Sequence, residues 1–560
     1  MRRDYLLLSG LALLFFLPYL GAVHLFDWDE INFAECAREM IMTGDWMRPQ
    51  IDFEPFWEKP PLFFWMQGLG MQLFGVNELA ARLPNAICGL ATILTVYHIG
   101  SRLHDRLLGW IWALAWLGSI LPHLYFKSGI IDPWFNFFTF VGLYGFIEFR
   151  WRFFTHTEGM SFWVKYRHLI VGGSVLGLAI LTKGPTAFLI ASMVIALYWA
   201  RYRFKGKGYF KHYVFWAVHA GLAALIWFGV EAMMHGTWFM EEFLKYQVRL
   251  FSTHDSGHSG FLAYHFVVLL IGCFPISIFA LPNLWGDKQS EDEMLESDTL
   301  AACKQSDFGT WMQLLLWVVL ILFTVVQTKI LHYSSLAYFP LSYLGAVTLW
   351  RAIRWKRYHK VIGFALPVIG LLLGTAVLLL PWFGQHVDMI KPLFQQDAFA
   401  MANLEANVNW QLWQGLPGLI LIIASLAGAF FWFKKQAWKT AQITLLGGTL
   451  FTALTMLFIV PDIEAYSQRS AIEFYESKCG ENCFVKPVNF KSYAHLFYTC
   501  KQNPGKDCTI DDYPSLAHGN PGKSVFFVAK INNLGELPNL PDCHELYRKN
   551  GFVFFERKVK

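Results

Sequence analysis

Between residues 27 and 61, acidic side chains stand close together in a chain that otherwise carries few charges. Asp27-Trp28-Asp29-Glu30 opens the run, Glu35, Arg38 and Glu39 follow, and Glu54, Glu58 and Lys59 close it before Pro60-Pro61. Carboxylates in such a run serve as general bases, as cation ligands or as helix caps, and a neighbouring lysine serves an anion or an ion pair. Asp29 precedes apolar residues at helical spacing, so an N-cap role stands beside a chemical one. Glu58 and Lys59 also suit an interfacial ion pair. Further polar residues punctuate apolar sequence downstream: Asp132 before Pro133, Lys183 in Thr182-Lys183-Gly184-Pro185, Arg249, His258 between His254 and His265, and Lys329 with Tyr333. Lysines at helix ends also snorkel to an interface. Asp132 also suits a cap, and Tyr333 also suits interfacial packing.

The elements that must carry these residues are membrane helices. Of 560 residues, 55% are hydrophobic, 18% aromatic and 16% charged, whereas soluble domains carry about a quarter charged residues. A spanning helix needs roughly 20 mainly apolar residues. Thirteen such segments are expected, near 5–25, 79–100, 108–126, 133–149, 168–182, 185–200, 212–233, 261–281, 310–327, 333–350, 361–381, 412–433 and 440–460. Alternate connections are basic and hold, with the N-terminus, 23 of the 46 Lys and Arg residues. By the positive-inside rule they are cytoplasmic, as is the acidic insert 290–298. The acidic run 26–78, the loops 127–132, 183–185, 234–260 and 328–332 that hold Asp132, Lys183, Arg249 and Lys329, the loop 382–411 and the tail 461–560 then all lie on the outer side. A transporter would carry charge within its spans and inverted repeats. Here Glu148, Glu231 and Lys329 fall at span ends, and no repeat is evident. Within the outer run, 31–43 reads as an amphipathic helix lying on the membrane, and 62–74 reads similarly.

From 461 onward charged and turn residues rise, and apolar runs shorten to strand length at 524–530 and 551–556. Helices are expected at 471–478 and 492–499. The tail reads as a small α/β domain outside the membrane. Five of nine cysteines are here, which fits an oxidising compartment. Cys479 with Cys483, and Cys500 with Cys508, are the nearest pairs; four cysteines in two bridges allow three connectivities, and zinc binding is the alternative use.

A family resemblance rests on Asp29-Glu30-x-x-x-Ala34-Glu35-x-Ala37-Arg38-Glu39-Met40, Gly44-Asp45-Trp46-x-x-Pro49 and Glu58-Lys59-Pro60-Pro61-Leu62, continued by Ser128-Gly-Ile-Ile-Asp132-Pro133, Thr182-Lys183-Gly184-Pro185, Arg249, His258 and Thr328-Lys329-x-x-His332-Tyr333. In this order the chain resembles the aminoarabinose transferases that modify lipid A, relatives of the protein O-mannosyltransferases among the GT-C glycosyltransferases. The resemblance implies thirteen spans with an outer C-terminal domain, in a bacterial inner membrane with the active site facing the periplasm. It implies a polyprenyl-phosphate sugar as donor, no nucleotide, and lipid A or a related glycolipid as acceptor; a protein acceptor is the alternative. Carried over residue by residue, Asp29 and Asp132 are the catalytic acids. Lys59, Lys183, Arg249, Lys329 and Tyr333 meet the donor phosphate, and Glu58 with His258 binds a divalent metal, a donor set closer to zinc than to calcium. Direct displacement with inversion is expected, since no motif supplies a second nucleophile. The sequence departs from the family where Asn32-Phe33 replaces Arg-Tyr and Phe56-Trp57 replaces Tyr-Phe, so phosphate or sugar contacts differ there.

Overall fold

The computed structural model describes residues 2–153, 161–203, 209–252, 260–285, 300–502 and 512–558. His258, Cys508 and the insert 290–298 lie outside the described residues. Helices dominate, and every expected membrane segment contains one, but the segmentation differs. The first helix, Arg2–Phe16, stops well before residue 25. The third segment breaks at Ser119 into Arg106–Gly118 and Ile120–Tyr125. In the eighth, Tyr264–Gly272 and Ile276–Asn283 meet at 111°, with Pro275, which lacks an N–H to continue a helix, at the junction. Among the described residues seven helices are long and apolar enough to cross a membrane, and up to eight if the bent pair counts as one span. The chain is a multi-pass membrane protein.

Close helix approach depends on small residues, as it does where lipid removes the hydrophobic drive between helices. Asp132–Phe153 and Phe162–Lys183 form an antiparallel pair in which a Cβ at Gly172 would stand 2.9 Å from the Gly142 carbonyl oxygen. This pairing brings the start of one helix, Asp132, beside the end of the other, Lys183. The second helix stops because Gly184 takes φ +109°, and a side chain there would strike the Phe243 ring at 2.5 Å.

The outer run is pinned by the helix Glu78–Leu103. Arg82, buried, donates to Leu20, Val23 and His24 carbonyl oxygens at 2.7–2.9 Å and to both oxygens of buried Glu30 at 2.7 and 3.0 Å. Glu30 also accepts from the Phe26 and Gly129 backbone N–H groups. One turn along, Asn85 donates to the Ser128 and Ile130 carbonyls. Burial alone would raise the Glu30 carboxyl, but Arg82 and the two backbone donors hold it below the usual carboxylate range.

The helix Asp29–Thr43 begins two residues earlier than expected and ends on Gly44 in the left-handed region. It does not lie on a membrane surface: every residue from Glu30 to Met40 is buried. Leu62–Phe74 is helical with the expected bounds. What covers Asp29–Thr43 is the C-terminal region. The outer run holds a short antiparallel pair, β1 (Gln50–Ile51) and β2 (Glu54–Pro55); in the C-terminal region β3 (Phe484–Val488), β4 (Val525–Lys530), β5 (Cys543–Lys549) and β6 (Phe552–Arg557) form a sheet in the order β3-β4-β6-β5, with β3 parallel to β4 and the other pairs antiparallel. The alternation of strand side chains divides its apolar residues between two faces. Phe526, Val528, Phe552 and Phe554 share one core with Ile31, Phe33, Ala37 and Met40, while Val525, Phe527, Val553 and Phe555 pack with Leu516 and Leu537 on the other side. The helices Arg469–Ser477 and Ala494–Tyr498 lie near the expected positions. A disulfide joins Cys479 to Cys500 just past their ends, with Cα atoms 5.2 Å apart. This corrects the nearest-neighbour pairing: Cys483 begins the approach to β3 and is a free thiol. Closing a loop of this length contributes about 3 kcal/mol in the chain-entropy account.

Truncating one member of a buried ion pair leaves the other charge uncompensated. Arg82→Met is therefore expected to cost about 3–5 kcal/mol of stability, read as a lower melting temperature in detergent. Glu30→Gln in the same background should recover part of the loss, and a double variant as unstable as the sum of the singles would show that the two side chains do not act as a pair.

Candidate functional site

A cavity of about 660 Å³ opens where the outer run, the loops before Asp132 and after Lys183, the segment 328–333 and the C-terminal region converge. Asp29, Asp132, Glu58, Lys59, Lys183, Arg249 and Tyr333 all line it, although they are spread over more than 300 residues of sequence. Asp29 is the first residue of its helix and Trp28 holds the N-cap position, so the cap alternative is not realised. It is partly exposed, and its Oδ2 lies 3.6 Å from His332 Nε2. Burial holds the His332 ring below its ordinary pKa despite the nearby Asp132 and Asp29, so the neutral imidazole, able to orient Asp29 by hydrogen bonding, is favoured.

Asp132 is buried, and its Oδ1 accepts from Lys183 Nζ at 2.5 Å while Oδ2 has no partner among the described residues. Lys183 Nζ also sits 5.4 Å from the centre of the Tyr333 ring. On another wall, two cations share one aromatic ring: Lys59 Nζ is 4.9 Å and Arg249 Cζ 5.2 Å from the centre of Tyr246. Like charges gathered over one ring repel unless an anion joins them, and a planar guanidinium can engage two phosphate oxygens. Arg249 reaches this wall from the helix Trp238–Ser252, three residues after Tyr246.

Lys329 stands apart. It is buried, and Nζ donates to the carbonyl oxygens of Phe323, Thr324 and Val326, the end of the helix Leu300–Val325. An ammonium has three protons to donate, and these three carbonyls use them, so Lys329 closes a helix rather than meeting phosphate. Glu58 lines the cavity with no hydrogen bond or ion pair among the described residues. Among those residues no group of three or more His, Cys, Asp or Glu side chains is arranged to hold a metal ion. The donor set for a metal is thus Glu58, a free carboxylate on the cavity wall, with His258 beyond the described residues.

Residues 58–230 match the sequence family described as dolichyl-phosphate-mannose-protein mannosyltransferase. Over 98% of this chain and 97% of its own length, the undecaprenyl phosphate-alpha-4-amino-4-deoxy-L-arabinose arabinosyl transferase of Enterobacter sp. (strain 638) is 25% identical. The crystal structure of ArnT from Cupriavidus metallidurans bound to undecaprenyl phosphate superposes with a TM-score of 0.72 at 17% identity, covering 99% of this chain and 98% of that one. The archaeal oligosaccharyltransferase AglB from Archaeoglobus fulgidus superposes at 0.51 with 10% identity, covering 95% and 70%. Along nearly its whole length the chain has the fold of ArnT.

Within this fold the sequence reading did not nominate several cavity residues. His332 was visible in the motif Thr328-Lys329-x-x-His332-Tyr333 but had no stated role. Tyr246 carried no signal beyond being aromatic in an aromatic-rich chain. Lys491 and Tyr493 come from the C-terminal region, and nothing local in sequence ties them to residue 29. Both family departures border the cavity: Asn32 is buried with Oδ1 lacking a hydrogen-bond partner, and Phe56 lines the wall.

The His332 environment sets a pH dependence. A histidine with lowered pKa binds fewer protons folded than unfolded, so its contribution to stability is present above the unfolded value of 6.5 and is lost as pH falls through the lower folded value. Between pH 7 and about 5, wild type should lose stability more steeply than His332→Gln when melting temperature is followed in detergent. Parallel slopes would mean that His332 does not titrate differently in the two states.

Proposed function

We propose that this protein transfers a monosaccharide from an undecaprenyl-phosphate-type donor to lipid A or a related glycolipid at the periplasmic face of the inner membrane. The observation that carries the reading is the convergence of Asp29 and of the cations Lys59, Arg249 and Lys183 on one cavity. The names of the full-length relatives and the undecaprenyl phosphate bound to ArnT support the donor class. The basic loops support a periplasmic site, with the N-terminus inside.

In this mechanism Lys59 and Arg249 hold the leaving phosphate over Tyr246, and Lys183, steered by Asp132, adds charge on a second side with Tyr333 beneath it. Asp29, oriented by His332, takes the proton of a hydroxyl acceptor, or stabilises positive charge developing on the sugar if the acceptor is already an ionised phosphate. Asp132 is held by Lys183, which leaves Asp29 as the carboxylate next to the reacting bond and favours single displacement with inversion. Glu58 with His258 would hold a divalent ion, which when bound neutralises phosphate charge as the glycosidic bond breaks. The thirteen spans and the tail as a separate periplasmic domain complete the proposal.

The test is transfer in proteoliposomes from undecaprenyl-phosphate sugar to lipid A, followed by intact mass. Asp29→Asn should lower the rate by ~10²–10⁴-fold with a hydroxyl acceptor, and the acid limb of the pH profile should vanish with it. A variant within about twofold of wild type for every acceptor, far below what a base contributes, would displace Asp29 from the centre. Glu58→Gln should bind less divalent ion than Asp29→Asn by direct metal analysis; equal occupancy in Glu58→Gln and wild type removes Glu58 from the ligands. The family described as protein mannosyltransferases supports a second reading, in which peptides rather than lipid A gain the mass.

A further inference from the structure

Asp27, Trp28 and Asp29 join the reacting centre to the C-terminal region. Asp27 lies beside Ser492, and its backbone N–H donates to Gln468 Oε1 at 3.3 Å. The Trp28 ring meets Tyr493 edge-on, with centres 6.3 Å apart. Asp29 is left to face His332. Over the two rings stands Lys491, its Nζ 5.1 Å from the centre of Trp28 and 5.5 Å from that of Tyr493. All three residues line the cavity, Lys491 is exposed, and among the described residues it has no carboxylate or hydrogen-bond partner. Charged groups on the surrounding elements are Asp27 beside Trp28, Lys530, which acts on Asp27, and Glu58 and Asp52, which act on Tyr493.

Two groups of cations from different segments therefore line the cavity that holds Asp29. Lys59 and Arg249 share Tyr246 on the wall built from the helix Trp238–Ser252 and the end of the outer run. Lys491 belongs to the segment between β3 and the helix Ala494–Tyr498. A transferase needs one anion site for its leaving phosphate. The second group has, among the described residues, an ammonium without a carboxylate partner and two aromatic faces, which suits a phosphorylated sugar headgroup.

We propose that Lys491, framed by Trp28 and Tyr493, binds a phosphate of the acceptor glycolipid, making the C-terminal region part of the acceptor site. This rests on the transferase reading above. Lys491 is a positioning residue: it holds the acceptor against Asp29 without touching the reacting bond.

The experiment uses the full chain in proteoliposomes, undecaprenyl-phosphate sugar as donor, and lipid A either phosphorylated or phosphatase-treated as acceptor. Losing a charge-assisted bond to phosphate, Lys491→Gln should raise the KM for phosphorylated lipid A about tenfold, while donor KM and kcat stay within about twofold and Lys491→Arg restores most of the affinity. With the phosphatase-treated acceptor, wild type and Lys491→Gln should coincide. Inorganic phosphate should inhibit wild type by raising the lipid A KM more than it does for Lys491→Gln if the site takes free phosphate as well as a headgroup; inhibition that raises the donor KM alone opposes the assignment. An unchanged acceptor KM in Lys491→Gln, a change confined to donor KM, or an equal loss on both acceptors overturns it. Wild type that leaves both lipids unmodified overturns the lipid-acceptor reading itself, a result distinct from an active wild type whose Lys491 variant behaves the same.

Discussion

The buried pair of Arg82 and Glu30 is the constraint on which the rest of the site depends. All five donors of the guanidinium are spent: two on Glu30 and three on the carbonyls of Leu20, Val23 and His24. Glu30 in turn accepts from Gly129 in the loop before Asp132. One helix thus fixes the chain entering the outer run, the first turn that carries Asp29, and the loop that carries Asp132. Two charges removed from water are costly unless their hydrogen-bonding capacity is nearly filled. Here it is filled by backbone groups from three segments, so the pair holds only when all three are assembled. Registry of Asp29 against Asp132 follows from that condition.

The cavity's electrostatics follow a division of labour among its charges. Structural charges are paired and saturated: Arg82 with Glu30, Lys329 with three carbonyls, and Arg38 with Glu35 at 2.6 Å. Charges on the cavity wall are left partly open, with Lys59 and Lys491 over aromatic rings and Glu58 without an ion pair among the described residues. Aromatic faces stabilise an ammonium without consuming its hydrogen-bonding protons, so such a cation remains available to phosphate. This is a physical use for part of the aromatic excess, which membrane anchoring alone does not explain.

The C-terminal region is not an appendage to the membrane bundle. Its helix Ala494–Tyr498 packs on the helix Asp29–Thr43 in a core that one face of the sheet shares, and its segment 491–493 reaches the cavity. Burial of that helix means that its charged residues are met by protein groups in place of water. The cost of burying Glu35 and Glu39 is met partly by Arg38 and partly by protonation: burial and the neighbouring Glu35 push the Glu39 carboxyl up to about 9.

By itself the sequence determined the helical membrane class, the places where apolar runs stop, the tight turn at Lys183-Gly184-Pro185 and the order of motifs carrying Asp29, Glu58, Asp132 and Arg249. These are readable because hydrophobic length, turn chemistry and charge in apolar surroundings are local properties. It also indicated strands at 524–530 and 551–556, which form at Val525–Lys530 and Phe552–Arg557 and whose continuous apolar runs reflect packing on both faces. It did not reveal β3, an edge strand interrupted by Lys486 and Pro487, or β5, an edge strand mostly exposed and polar, because edge strands need no apolar signature. Lys329 looked like a cavity cation and is a helix cap; a lysine's type is written in sequence, but the atoms that take its protons are not. Likewise the joining of Cys479 to Cys500, the sharing of Tyr246 by Lys59 and Arg249, and the approach of Lys491 to Trp28 were decided only by tertiary structure, since each depends on helices and sheet meeting across distances that no local pattern encodes.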